Sequence, residues 1–224
     1  MSCFGGCQHI TSEGLHDAAF DGDLSAVKYY LKKGAEVAEQ DENGLQPLHL
    51  AALAGKAKVL QALLDAGADI NAPGRNGMAP LSLAIIDGHI EMVKALMQAG
   101  ADKEVRDEKG NTAMHVACAE EQTKIVRLLL KLGAEHTVYN NIGLQPTLIA
   151  AERGYAKIVK TLLEAGADPS KPPPNGGSMP PIVVADESIK AMFVDFEQTH
   201  WKKNGNEAGG SKPMPGAKLP PLEK

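Results

Sequence analysis

Aromatic residues are scarce in this chain: Phe, Trp and Tyr together make 4% of 224 residues. A single compact core built on large rings is excluded, so small and aliphatic side chains must do the packing, which suits stacked helices. Cysteine is scarce too. Cys3, Cys7 and Cys118 make an odd count, and the N-terminus lacks the basic start and apolar run of a secretory signal. Both point to a reducing compartment, the cytoplasm with the nucleus as the alternative, rather than to a disulfide framework. No stretch approaches the roughly 20 apolar residues of a membrane span. A dominant charge is also missing, since the net charge is only -5. Beyond Trp201 lie five lysines and two glutamates, a local +3, so the body before it carries about -8. An acidic body argues against a nucleic-acid partner, because duplex binding needs clustered Lys and Arg against the phosphates.

Catalytic signatures are absent as well. The chain has no G-x-x-x-x-G-K-[ST] phosphate loop, no H-E-x-x-H and no G-x-S-x-G. Cys3, Cys7 and His9 cluster, but a structural zinc site wants four ligands and no fourth lies nearby. The reading is therefore a non-enzyme with no cofactor and no metal. Cys3 and Cys7 flank Phe4 in a glycine-rich context, which leaves open reversible acylation or plain exposed thiols. Ser2 stands where N-myristoylation requires glycine. Cys118 is most simply a core residue.

What the chain has is a period. Gly44, Gly77, Gly110 and Gly143 are 33 residues apart; so are Gly34, Gly67, Gly100, Gly133 and Gly166, and so are Ala18, Ala51, Ala84, Ala117 and Ala150. Three registers on one period mark an array of repeats. Within one period the pattern predicts two helices. Pro47 suits a first helical turn, where its missing N–H costs nothing. Leu48, Ala51 and Ala52 make one apolar face, and Gly55 ends the helix. Val59, Leu60, Leu63 and Leu64 make the stripe of a second helix, which Gly67 stops. Asp69, Asn71, Pro73, Gly74 and Asn76-Gly77 then carry the turn chemistry of a projecting hairpin. One such unit cannot bury its apolar faces alone; stacked copies bury a continuous core.

The segment Gln46-Pro47-Leu48-His49-Leu50-Ala51-Ala52, then Gly55, then Leu63-Leu64-Asp65-Ala66-Gly67-Ala68-Asp69-Ile70-Asn71-Ala72, closely resembles the ankyrin repeat. The resemblance implies an all-α solenoid of paired antiparallel helices with projecting β-hairpin loops. It divides the chain into a flexible N-terminus (1–11), repeats one to five (12–170), a degenerate capping repeat (171–202) and a disordered basic tail (203–224). Ile189, Met192, Phe193 and Phe196 supply the apolar spacing of the cap, with Asp186 as its N-cap.

The copies depart from the family in ways that bear on stability. The family's Thr caps the first helix and bonds the His three residues on; only Thr112 and His115 keep that pair. Glu121 stands where Gly22, Gly55, Gly88 and Gly154 stand, so it is strained if the turn needs a positive φ. The second half of the stack is therefore expected to be unevenly stable. His16, His49 and His115 recur at the period, and the expectation is that each ring ties its loop to the next repeat's backbone instead of forming a metal or proton site.

The resemblance also implies where a partner binds: on a concave strip made of loop tips and the solvent face of the first helices. By position this strip offers Leu45, Leu53, Arg75, Met78, Ile86, Asp87, Lys109, Glu120, Ile142, Leu144 and Arg153. Apolar residues among them, Met78 and Ile86 above all, stand where solvation alone favours polar ones, and an apolar patch rimmed by charge marks a protein interface. The competing explanation is packing between neighbouring loops. The implied function is a monomeric scaffold or adaptor for a protein partner, with an inhibitor or regulatory subunit of an enzyme as the alternative; an enzyme with its site in residues 175–202 is disfavoured, because that segment has no nucleophile–base pair. A third option is that the basic tail folds back and occupies the strip.

Overall fold

The computed structural model describes residues 5–168 and 187–204, with side chains over 13–168 and 187–195. Ten helices form five antiparallel pairs. Repeat one is α1 (Gly5–Asp21) and α2 (Leu24–Lys32); repeat two is α3 (Pro47–Leu53) and α4 (Ala57–Asp65); repeat three is α5 (Pro80–Ile86) and α6 (Ile90–Gln98). Repeat four is α7 (Ala113–Ala119) and α8 (Thr123–Lys131), and repeat five is α9 (Pro146–Glu152) and α10 (Ala156–Glu164). First helices stack on first helices, second on second, so each repeat touches only its neighbours. A last helix, α11 (Glu187–Asn204), packs on α10 with Ile189 buried and Met192 and Phe193 against the core.

The core follows from the period. Ala51, Ala84, Ala117 and Ala150 are fully buried between first helices, where their small size lets the helices approach. Val59, Leu60 and Leu63 of α4, like Ile125, Val126 and Leu129 of α8, fill the layer beneath. Pro47, Pro80 and Pro146 each start a first helix.

Between neighbouring pairs a loop projects as a finger. Across each tip runs a backbone bond, Asp41 N to Leu45 O, Gly74 N to Met78 O, Asp107 N to Asn111 O and Asn140 N to Leu144 O, and within it Gly44, Gly77, Gly110 or Gly143 N donates back to the first of these residues. Among the described residues no strand is formed, so the expected β-hairpin arms are tight turns. In three fingers a side-chain oxygen also organises the tip: Asp41, Asp107 and Asn140 Oδ1 each accept two backbone N–H groups. The second finger has Gly74 at that place, where a Cβ would press on the His49 ring. Its tip turns instead through Asn76 and Gly77, both at positive φ (58° and 73°), the conformation that an Asn-Gly pair favours.

Two expectations need correcting. The first helix starts at Gly5, not near residue 12, so residues 5–11 belong to α1; the segment contains no proline to stop it. Asn204 likewise falls inside α11 rather than in a tail. The expected cap segment 180–185, the Asp186 cap and residues 205–224 lie outside the described residues.

Candidate interaction groove

The periodic histidines build the frame of the concave face. His16 Nε2 meets the carbonyls of Glu39 and Leu45 (3.0 and 3.1 Å), His49 Nε2 that of Ala72 (2.9 Å), and His115 Nε2 that of Leu144 (3.2 Å). On the other side of two rings, Gln46 N donates to His49 Nδ1 and Thr112 N to His115 Nδ1. A ring that accepts at Nδ1 and donates at Nε2 is neutral. Burial favours the same form: it lowers the pKa of His49 and pushes that of His115 down to about 4, against weaker opposing bonds to backbone carbonyls. These rings brace fingers, as expected, and among the described residues no cluster suits a metal ion.

Later fingers are also joined to each other. Glu108 N donates to Asn76 O, Asn141 N to Lys109 O, and Arg106 Nη1 to Tyr139 O. The first helices are joined in a second way. The carbonyl that ends α3, α5 and α7 is held by the following repeat: Leu53 O by His89 Nε2, Ile86 O by Gln122 Nε2 and Ala119 O by Arg153 Nη1 (2.9, 3.3 and 2.8 Å).

On this frame lies a groove of about 730 Å³ that crosses repeats three to five. Its apolar lining comes from Met78 of the second finger, Ile86 of α5, Val116 and Ala119 of α7, Ile142 and Leu144 of the fourth finger, and Ile149 of α9. Glu108, Lys109, Glu120, Glu152 and Arg153 make the rim, all exposed. The Arg153 guanidinium is engaged with Ala119 O. Glu108, Glu120 and Glu152 stand against Lys109 and Arg153, so the rim carries both signs with a small negative excess. Ile142 is 70% exposed. One exposed isoleucine is ordinary, but this one extends an open apolar floor.

Of the residues expected on the strip, the groove gathers Met78, Ile86, Lys109, Glu120, Ile142, Leu144 and Arg153. Leu144 is nevertheless buried at the base of its finger, and so is Leu45 at the base of the first. Both hold their loops, and Leu144, like the equally buried Val116, still lines the groove. Leu53 is half-buried beneath His89; Arg75 and Asp87 are exposed but lie outside the groove. Val116 and Ile149 were not anticipated. The signal was available: each precedes a strip position (Glu120, Arg153) by four residues, and so shares its helix face.

A second hollow of about 310 Å³ lies at the first finger, lined by Glu13, Asp17, Glu39, Asp41 and Glu42 with only Leu50 as apolar floor. Cys118 is fully buried, and burial pushes its thiol pKa up, away from reactivity. No described helix is long and apolar enough to cross a membrane.

No curated protein matches the chain. The family model for ankyrin repeats (3 copies) matches residues 15–107 and 100–172. Ankyrin repeats are generally protein–protein interaction modules. Because the two matched stretches take in the whole run from α2 to α10, and the periodic helix pairs occupy that same run, the chain belongs to the ankyrin-repeat family.

Proposed function

We propose that the chain is a scaffold or adaptor that holds a protein partner on its concave face, with the groove over repeats three to five as the contact surface. One observation carries the reading: an apolar floor from Met78 to Ile149 stays open to solvent across three repeats and is bordered by charge. Such a floor gains free energy when covered, about 25 cal/mol for each Å² removed from water, while the rim selects what covers it. A frame braced by buried imidazoles presents this surface ready-formed, which lowers the ordering cost of binding. In this reading the protein works as a monomer in the cytoplasm and its partner is a protein, not nucleic acid.

The test is affinity capture from native extract, comparing the intact chain with Met78→Lys/Ile86→Lys and with Ile142→Lys. Circular dichroism must show all three equally folded. The expected outcome is one set of proteins captured by the intact chain and lost with both variants. Undiminished capture by both variants would remove the groove from consideration as the working surface.

A further inference from the structure

We propose that the same groove also takes a segment of this chain, residues 208–222, so that the C-terminal segment and an outside partner compete for one surface. This rests on reading the groove as the binding surface.

Position comes first. α11 ends at Asn204 and packs on α10, which packs on α9, and α9 lends Ile149, Glu152 and Arg153 to the groove. Lys212 follows Asn204 by eight residues, roughly 26 Å of extended chain. Lys218 follows by fourteen, roughly 46 Å, and neighbouring repeats are about 10 Å apart, so the segment is long enough to cover three repeats.

Chemistry comes second. Between Glu207 and Glu223 the sequence contains Lys212 and Lys218 and no acidic residue. Met214 and Leu219 stand within two positions of these lysines. That order, apolar side chains flanked by cations, complements an apolar floor whose rim sets Glu108, Glu120 and Glu152 against Lys109 and Arg153, a small negative excess. Pro213, Pro215, Pro220 and Pro221 bias the segment towards extended backbone, so less freedom is lost on docking. Tethering also raises its effective concentration at the groove into the millimolar range, where weak contacts suffice.

The hollow at the first finger is more acidic, but its lone Leu50 gives Met214 and Leu219 no floor. It also lies at the far end of the stack from Asn204.

The test is zero-length carbodiimide cross-linking of the dilute full-length chain, with the amide bonds mapped by mass spectrometry. The expected products join Lys212 or Lys218 to Glu108, Glu120 or Glu152. Their yield should fall several-fold in Met214→Asp/Leu219→Asp, whose changes lie outside the repeats and leave the fold intact. In the capture experiment this variant should retain more partner than the intact chain. Links only to Glu13, Asp17, Asp41 or Glu42, links only between two copies in an isotope-mixed sample, or no links at these lysines would overturn the proposal. If the links fail while Met78→Lys/Ile86→Lys still abolishes capture, the segment proposal falls alone and the groove keeps its partner. If rim links form, fall in the segment variant, and capture survives Met78→Lys/Ile86→Lys, the segment proposal stands and the partner reading falls.

Discussion

The fourth and fifth repeats follow one 33-residue plan, and each departs from it where the other keeps it. The fourth keeps the Thr112–His115 pair, with Thr112 Oγ1 3.0 Å from His115 Nδ1, and its ring reaches the next finger. The fifth has Gln145 and Leu148 at these places and no such ring. At the turn between helices the order reverses. Gly154 takes φ 81° without strain, whereas Glu121 is forced to φ 56°. The fifth repeat also places Thr147 where Leu48, Leu81 and Met114 stand; it is fully buried and its hydroxyl has no hydrogen-bond partner. The difference shows how a repeat array absorbs faults. Stability is close to a sum of repeat and interface terms, so a defect in one unit is carried by its neighbours and need not be repaired where it occurs.

The largest effect that separates the two repeats should come from pH. His115 takes up a proton near pH 6.5 in the unfolded chain but only near pH 4 in the fold. Between these values the unfolded chain binds the extra proton, so stability falls as pH drops from about 6.5 to about 4 and levels off below. At 1.36 kcal/mol for each unit, this amounts to about 3 kcal/mol. His49, lowered by the same burial, adds in the same direction. His115→Leu copies the fifth repeat and should make urea unfolding midpoints less sensitive across this window, at the cost of the finger tie. An unchanged slope would show that His115 is not the group responsible.

Thr147→Val should repair the fifth repeat. It keeps the shape and removes a buried hydroxyl without a partner, for a gain of about 1–2 kcal/mol, read as a higher thermal midpoint. A loss on this substitution would mean that the hydroxyl is satisfied in solution. Glu121→Gly should repair the fourth by a smaller amount. Relief of the left-handed conformation gives about 1–2 kcal/mol, and the added freedom of glycine in the unfolded chain returns part of it. The net expectation is a gain of about 0.5–1 kcal/mol in denaturant unfolding, and Glu121→Ala should give none of it.

Much of this was legible in the residues because a period reports itself many times over. Pro47, Pro80 and Pro146 mark helix starts, Gly55 and Gly88 mark their ends, and the strain at Glu121 follows from comparing one position across copies. Single events were harder to read. Nothing periodic signals that α1 begins at Gly5, because no other repeat has the extension. The burial of Leu45 and Leu144 was hidden because a finger's apolar residues pack inward or outward according to side-chain direction, which spacing within a short turn does not encode. Met78, Ile86 and Ile142 were legible as apolar residues in exposed places. That they meet Val116 and Ile149 in one groove depends on the stacking of three repeats.

The hold of repeats three, four and five on the carbonyl ending the first helix before them gives the stack a sense of time. Leu53, Ile86 and Ala119 wait for donors 36, 36 and 34 residues later in the chain. As the polypeptide emerges from the ribosome, a newly folded pair is left with an open carbonyl until most of the next pair is out. In synthesis from the amino end, each arriving unit therefore closes one more bond on its predecessor. Clipping on either side of a unit breaks one such bond: a cut at its carboxyl side frees the carbonyl, and a cut at its amino side frees the donor.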